Sequence, residues 1–200
     1  MSGSTSRILR SRWARRAAFS ALIVGLIALA SGFALLKLRR DRERDALAAV
    51  ARAHEELRRG QPARALRAVA GVPESGPWEA DLLTVKGIAF AALDRPELVR
   101  PILERSMKLN PNQAMAAKVL AAVYFTGEES ERGFALLEQA ARIDPTDFRP
   151  WFGAGDILLR YQNLPDEAAR AFREALRRKP DHDESRLGLL VGILDVCFTV

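Results

Sequence analysis

The stretch that decides the fold is residues 148–182, which read FRPWFGAGDILLRYQNLPDEAARAFREALRRKPDH. Apolar side chains recur in it at helical spacing on both sides of a polar turn region at 161–166. Pro180 follows the second apolar run, at a place where a proline ends a helix. The pattern predicts two helices joined by a short turn, and nothing in it alternates as a strand does.

The same pattern repeats toward the N-terminus. Prolines recur at Pro77, Pro111, Pro145 and Pro180, at spacings of 34, 34 and 35 residues. We place the one extra residue of the last unit in the turn region 161–166, because insertions are tolerated in turns. A period of this length is typical of helical repeats. A column of small residues keeps the same period at Ala53, Gly87, Ala121 and Gly155.

These columns resemble the tetratricopeptide repeat (TPR), a 34-residue pair of antiparallel helices. The resemblance implies an all-α, right-handed solenoid of about four hairpins. We expect the repeats at 46–79, 80–113, 114–147 and 148–182, followed by an apolar C-terminal helix over 183–200. The fourth unit fits best, with its large, small, small, aromatic, small and proline positions at Trp151, Gly155, Ala168, Phe172, Ala175 and Pro180.

An uncharged, mostly apolar segment over 17–36 lies between two arginine clusters. A helix of this length spans about 30 Å, the thickness of the hydrocarbon core of a bilayer. The sequence therefore predicts a basic tail over 1–16, a transmembrane helix over 17–38 and a basic helical linker over 39–45. From this pattern we expect a single-pass protein of the bacterial inner membrane, with the bilayer as a partner and the repeats outside the cytoplasm.

Two other interpretations stay open at this stage. The small residues around Ala30 fit a signal-peptide cleavage site, which would release a secreted soluble TPR protein. Alternatively, the repeats are the regulatory part of a larger enzyme whose catalytic domain lies beyond Val200.

The net charge of +6 by itself suggests nucleic acid as a partner. Residues 1–44, however, hold ten basic and two acidic residues, a net charge of +8. The remainder holds 21 basic and 23 acidic residues, a net charge of −2. The basic character belongs to the N-terminal segment, and we expect no nucleic-acid partner.

The residues that carry most enzyme chemistry are scarce. One cysteine and two histidines leave no Cys-rich or His-rich metal site. The glycines at Gly153 and Gly155 follow no strand, so they do not form a phosphate-binding loop. The acidic run at 181–184 follows Pro180 and is interpreted as a helix cap. We expect no catalytic residue, no cofactor and no metal, and hence no enzyme.

The TPR resemblance also implies a binding surface, because the first helix of each TPR hairpin lines a concave groove that receives peptides or partner helices. A protein or peptide partner is therefore expected, oriented by Arg149 and Arg160. The C-terminal apolar helix predicts self-association as well, since an exposed apolar terminal helix is a hazard. The groove residues that the resemblance implies are Asp81, Thr84, Ile88, Met115, Lys118, Ala122, Phe125, Arg149, Phe152, Asp156 and Arg160.

Overall fold

The computed structural model describes the backbone of residues 4–198 and the side chains of 25–26 and 29–193. Across the described backbone the chain forms nine α-helices and no strand, so the prediction of an all-α fold is confirmed. The helices are α1 (Ser4–Arg58), α2 (Pro62–Val69), α3 (Glu79–Ala92), α4 (Pro96–Leu109), α5 (Ala114–Thr126), α6 (Ser130–Ile143), α7 (Arg149–Arg160), α8 (Pro165–Arg178) and α9 (Asp183–Phe198).

The chain divides into two compact units, Met1–Asp45 and Ala46–Val200. The first unit corrects the predicted localisation. Part of the predicted span over 17–38, namely 17–24, 27 and 28, lies outside the residues whose side chains are described. Among the described residues, no helix is long and apolar enough to cross a membrane. The predicted location in a bacterial inner membrane is therefore wrong, and the bilayer as a partner loses its support.

The physical reason within the described part of this unit is charge. Every residue of 37–45 except Leu38 is charged, and charged side chains are costly in a hydrocarbon core.

The second unit is a row of helical hairpins. Residues 46–58 of α1 pack with α2 around Ala53, Ala65 and Val69, which are all buried. The following hairpins pair α3 with α4, α5 with α6 and α7 with α8, and α9 packs on α8. Neighbouring hairpins meet where α2 contacts α3, α4 contacts α5 and α5 contacts α7.

The turns within the hairpins repeat one backbone geometry. Gly60, Asp94, Glu128 and Asn163 have φ values of 69°, 54°, 63° and 52°. These left-handed residues are spaced 34, 34 and 35 apart, the same intervals as the prolines. The turn between α7 and α8 covers four residues, 161–164, whereas the turns at 93–95 and 127–129 cover three. The extra residue of the last unit thus lies in a turn.

Within the hairpins, large side chains lie directly on glycines. A Cβ atom added to Gly155 in α7 would lie 2.7 Å from the ring of Phe172 in α8. A Cβ added to Gly133 in α6 would lie 2.7 Å from the ring of Phe125 in α5. Non-bonded carbon atoms prefer separations of about 3.5–4.0 Å, so these positions accept no side chain. The small-residue columns therefore set how closely the paired helices approach.

One repeat departs from the small-residue pattern with a polar side chain. Ser106 in α4 stands where the repeat usually carries alanine, and its side chain is fully buried. Its hydroxyl donates to the carbonyl oxygen of Ala80 at 2.8 Å and lies 2.8 Å from the hydroxyl of Thr84. Buried polar groups are costly when unpaired, and these hydrogen bonds allow the two hydroxyls to lie in the core.

A pair of glycine substitutions tests this packing. Gly155→Ala is expected to lower the free energy of unfolding by about 1–3 kcal/mol, because the methyl group overlaps the ring of Phe172. Gly153→Ala, two residues earlier in the same helix, meets no atom within 4 Å. It is expected to raise the free energy of unfolding by about 0.5–1 kcal/mol, as alanine favours a helix over glycine. Urea denaturation of both variants measures the contrast, and equal effects would contradict it.

Candidate partner-binding groove

The first helices of successive hairpins lie side by side. In the second unit α3 contacts α5, and α5 contacts α7. These three helices also carry the residues that the TPR resemblance assigns to a groove. The surface they form is therefore the first place to look for a binding site.

A cavity of about 420 Å³ opens between α5 and α7. Its volume lies within the range of ligand pockets, roughly 300–1,000 Å³. We call it the α5–α7 groove. Apolar side chains form most of its wall, and polar groups lie at one end. Its lining residues are Met115, Lys118, Val119, Ala122, Phe125, Leu137, Asp147, Arg149, Pro150, Gly153, Ala154 and Ile157.

The polar end of the groove is built around the carboxylate of Asp147, whose side chain is only 7% exposed. Lys118 Nζ lies 2.8 Å from one carboxylate oxygen of Asp147, and it also lies 3.3 Å from Asp144. Arg149 Nε donates to the other oxygen at 2.8 Å, and Arg149 Nη2 reaches the first at 3.1 Å. Asp147 thus joins the start of α7 to Lys118 of α5, which lies 29 residues earlier in the chain.

This environment changes the titration of Asp147. Burial of the carboxyl raises its pKa, but the side-chain hydrogen bonds from Arg149 and Lys118 outweigh burial. The backbone N–H of Arg149 adds a further hydrogen bond at 3.2 Å. The pKa of Asp147 therefore lies well below its ordinary value of 3.8, and the group stays ionised at the entrance of the groove.

The groove brings together part of the predicted set. Met115, Lys118, Ala122 and Arg149 line it, and Met115 and Arg149 are exposed, at 55% and 77%. Phe125 also borders the groove, but it is only 1% exposed because its ring packs edge-on against Phe134 at 5.1 Å. Phe125 therefore supports the floor and offers a ligand little surface.

The remaining predicted residues lie outside this groove. On α3, Thr84 is buried, Ile88 is half-buried, and Asp81 is exposed and accepts a hydrogen bond from Gln113 at 3.2 Å. On α7, the half-buried Asp156 and the exposed Arg160 form an ion pair at 2.5 Å.

Phe152 of α7 packs between two neighbours. Its ring lies 6.0 Å from that of Phe172 and 4.9 Å from that of His182. It therefore helps to hold α7, α8 and the start of α9 together, and it does not line the groove.

The sequence-based assignment missed two residues that shape the groove. Gly153 leaves open space at the wall of the α5–α7 groove, since no atom lies within 4 Å of an added Cβ. Asp147 lies just before α7, and its contact with Lys118 depends on tertiary packing. One sequence signal was available, since Arg149, Gly153 and Ile157 are spaced four residues apart and share a helix face.

A second cavity, of about 590 Å³, lies on α4, α5 and α6. The hydroxyl of Tyr124 in its floor donates to Glu104 at 2.8 Å, and burial followed by this hydrogen bond raises the pKa of Tyr124. Arg100 and Arg132 at the rim each donate to Glu129 at 2.6 Å. Both arginines are thus paired within the protein, and Met107 also borders this second cavity.

The acidic segment at 181–184 caps α9. His182 Nδ1 accepts from the backbone N–H of Ser185 at 3.2 Å and lies 2.7 Å from the Ser185 hydroxyl. Glu184 contacts the other ring nitrogen at 3.2 Å. A Ser–His–Glu series also occurs in hydrolases, but Ser185 is fully buried and no substrate can reach it. Within the described side chains, no group of three or more His, Cys, Asp or Glu could hold a metal ion.

Helix α9 exposes apolar side chains as far as its side chains are described. Leu187 is 64% exposed and Leu190 58% exposed. The opposite side of the helix carries Gly188, whose Cβ position faces the ring of Phe172. Self-association through this helix stays a prediction.

Solved structures share this architecture. MamA of AMB-1 superposes with a TM-score of 0.61 at 20% identity, covering 79% of this chain and 84% of that chain. MamA from Desulfovibrio magneticus RS-1 gives a TM-score of 0.60 at 22% identity, with 75% and 84% covered. YrrB, described as a TPR protein with an unusual peptide-binding site, gives 0.55 at 18% identity, with 76% and 84% covered. No family model and no curated protein matches the sequence.

Likeness at these identities shows the fold alone. The chain therefore has a TPR-like fold, and the fold that the sequence predicts is confirmed for the repeat unit.

The Asp147 cluster makes a prediction about pH. A carboxyl whose pKa is lowered on folding stabilises the native state above its unfolded pKa and loses that contribution as the pH falls. The difference in free energy of unfolding between wild type and Asp147→Asn is therefore expected to be constant from about pH 7 to pH 5 and to shrink below about pH 4.

Urea denaturation across this pH range measures the difference. Asp41→Asn serves as the control, because Asp41 is exposed and has no ion pair within the described residues. A difference between wild type and Asp147→Asn that grows as the pH falls would contradict the assignment.

Proposed function

We propose that this chain is a protein-interaction scaffold that binds a peptide or a partner helix in the α5–α7 groove. The observation that carries the proposal is the open apolar wall around Gly153, next to a fixed charged end at Asp147. Such a combination binds apolar anchors through burial and orients them through a few polar groups. The fold supports the proposal, since YrrB is described as having a peptide-binding site.

The two ends of the groove have separate roles in this proposal. At the apolar end, Met115, Val119 and Ile157 surround space for an aliphatic or aromatic anchor side chain. Methionine suits this role because its flexible thioether adapts to differently shaped ligands.

At the polar end, Arg149 uses two of its guanidinium nitrogens on Asp147. A guanidinium carries five N–H donors, so donors remain for a backbone carbonyl or a carboxylate of the ligand. Because Asp147 already holds Arg149 in place, binding costs little side-chain entropy there.

The proposal is for a binding module and not for an enzyme. The charged groups of the groove pair with one another, since Lys118 and Arg149 both contact Asp147, and we assign them a binding role.

A blocking substitution tests the groove. Peptides selected from a random library on the wild-type protein are expected to lose at least about tenfold in affinity for Gly153→Phe, which fills the space beside Ile157. Gly153→Ala is the matched control and should bind within about twofold of wild type, since its methyl group leaves most of the cavity open. Fluorescence anisotropy measures both affinities, and thermal unfolding verifies that each variant is folded.

Methionine methyl resonances locate the binding without any substitution. The chain has three methionines, of which Met115 lines the α5–α7 groove and Met107 borders the second cavity. Selected peptides are expected to shift the methyl signal of Met115 and to leave that of Met107 unchanged. Shifts at Met107 alone, or equal binding by Gly153→Phe and Gly153→Ala, would refute the proposal.

A further inference from the structure

The first hairpin of the repeat unit differs in charge from the rest of it. Residues 46–72 hold five arginines and two glutamates, a net charge of +3. Residues 73–200 hold 16 basic and 20 acidic residues, a net charge of −4. A basic hairpin on an acidic unit concentrates positive potential at one place on its surface.

Four of the five arginines of this hairpin line a groove of about 740 Å³ between the end of α1 and α2. We call it the arginine groove. On α1 its residues are spaced by three and four, and so are those on α2, so each set occupies one helix face. The lining residues are Arg52, Glu55, Glu56, Arg59, Arg64, Arg67 and Ala68.

Other faces of the same helices are used in the core. Val50, Ala53 and Val69 are buried with Trp78 and Leu82 on the α3 side of the hairpin. The arginine groove therefore lies beside the packed faces and does not replace them.

Most arginines of the groove have no acidic partner. Arg59 lies 3.0 Å from Glu55 and 3.7 Å from Glu56, so the two glutamates are already paired. The side chain of Arg52 donates only to the carbonyl oxygen of Ala48, at 3.3 Å. Within the described residues the side chains of Arg64 and Arg67 have neither an ion pair nor a hydrogen bond.

The contrast with the later hairpins is clear. Most of their arginines have a carboxylate within 4.0 Å, so their positive charge is neutralised within the unit. These paired residues are Arg100, Arg105, Arg132, Arg149, Arg160, Arg170, Arg177, Arg178 and Arg186.

We propose that the arginine groove docks an acidic segment of a partner protein. The guanidiniums of Arg52, Arg64 and Arg67 have no acidic partner within the described residues. They fit carboxylates, which they bind through paired N–H donors. Ala68 and the methylene stems of the arginines supply apolar surface for the aliphatic parts of such a segment. Residues 1–44 of this chain are excluded as the occupant, because their net charge of +8 repels the groove.

A second observation favours a peptide over a simple anion. Glu56 Oε2 is buried and has no hydrogen-bond partner among the described residues. Filling this acceptor requires a donor, and a peptide brings backbone N–H groups together with its carboxylates. An inorganic anion without protons can accept hydrogen bonds from the arginines, but it cannot donate one to Glu56. This proposal is independent of the α5–α7 groove.

The test uses the full chain and a labelled peptide. The probe is a fluorescein-labelled 16-residue extended peptide with glutamates at every fourth position, and its control carries glutamines instead. Wild type is expected to bind the glutamate peptide at least about tenfold tighter than the glutamine peptide at low salt. Raising the ionic strength to about 0.5 M should remove most of this difference, since exposed charges are screened.

Matched charge reversals separate the groove from general attraction. Arg64→Glu with Arg67→Glu should weaken binding of the glutamate peptide at least about tenfold. Arg142→Glu with Arg173→Glu changes the net charge equally, at exposed arginines that have no ion pair within the described residues. This control should bind within about twofold of wild type, with circular dichroism verifying that both double variants are folded.

Four outcomes overturn the proposal. The first is equal loss in the two double variants, and the second is equal binding of the glutamate and glutamine peptides. The third is a single-stranded oligonucleotide of the same charge that binds tighter than the glutamate peptide, which would assign the groove to nucleic acid. The fourth is a molar mass in solution that is lower for the Arg64→Glu, Arg67→Glu variant than for wild type. This would assign the arginine groove to a second copy of this chain.

Discussion

Large side chains lie on glycines that have no room for a Cβ atom, and this close approach holds the hairpins of the repeat unit together. Phe172 lies on Gly155, and Leu103 lies on Gly87 in the equivalent position of an earlier hairpin. The contact fixes the distance between the paired helices. Each hairpin alone would expose its apolar face, and in the stacked hairpins these faces are buried in three apolar clusters.

The groove depends on the same constraint. Gly155 faces the second helix of its hairpin, whereas Gly153, two residues earlier, has open space beside it. Helical geometry places these residues about 200° apart around α7, so one glycine closes the hairpin and the other opens the α5–α7 groove. Asp147 then fixes the polar end by holding Lys118 and Arg149. The residues of α7 that pack the hairpin thus lie next to those that form the groove.

Much of the fold could be predicted from the sequence, because close packing needs small residues and helix ends accept prolines. The spacing of Pro111, Pro145 and Pro180 therefore predicted hairpins whose turns at Asp94, Glu128 and Asn163 repeat at the same intervals. The burial of Ser106 required the structure, since only tertiary packing brings Thr84 and the Ala80 carbonyl to it.

The site could be predicted only in part. The TPR resemblance assigned Phe125, Met115 and Arg149 to the groove alike, because it does not distinguish side chains that pack from side chains that bind. In the structure the ring of Phe125 is buried, whereas Met115 and Arg149 are exposed. The contact between Lys118 and Asp147 spans 29 residues, and no local pattern predicts it. The localisation was wrong because the uncharged run over 17–36 alone decided it.

A crystal structure of the protein with a peptide selected on it shows where a partner binds. We expect density for an apolar side chain of the peptide between Met115 and Ile157 in the α5–α7 groove, with a polar group of the peptide at Arg149. A peptide bound elsewhere, with this cavity empty, would refute the α5–α7 groove as the binding site.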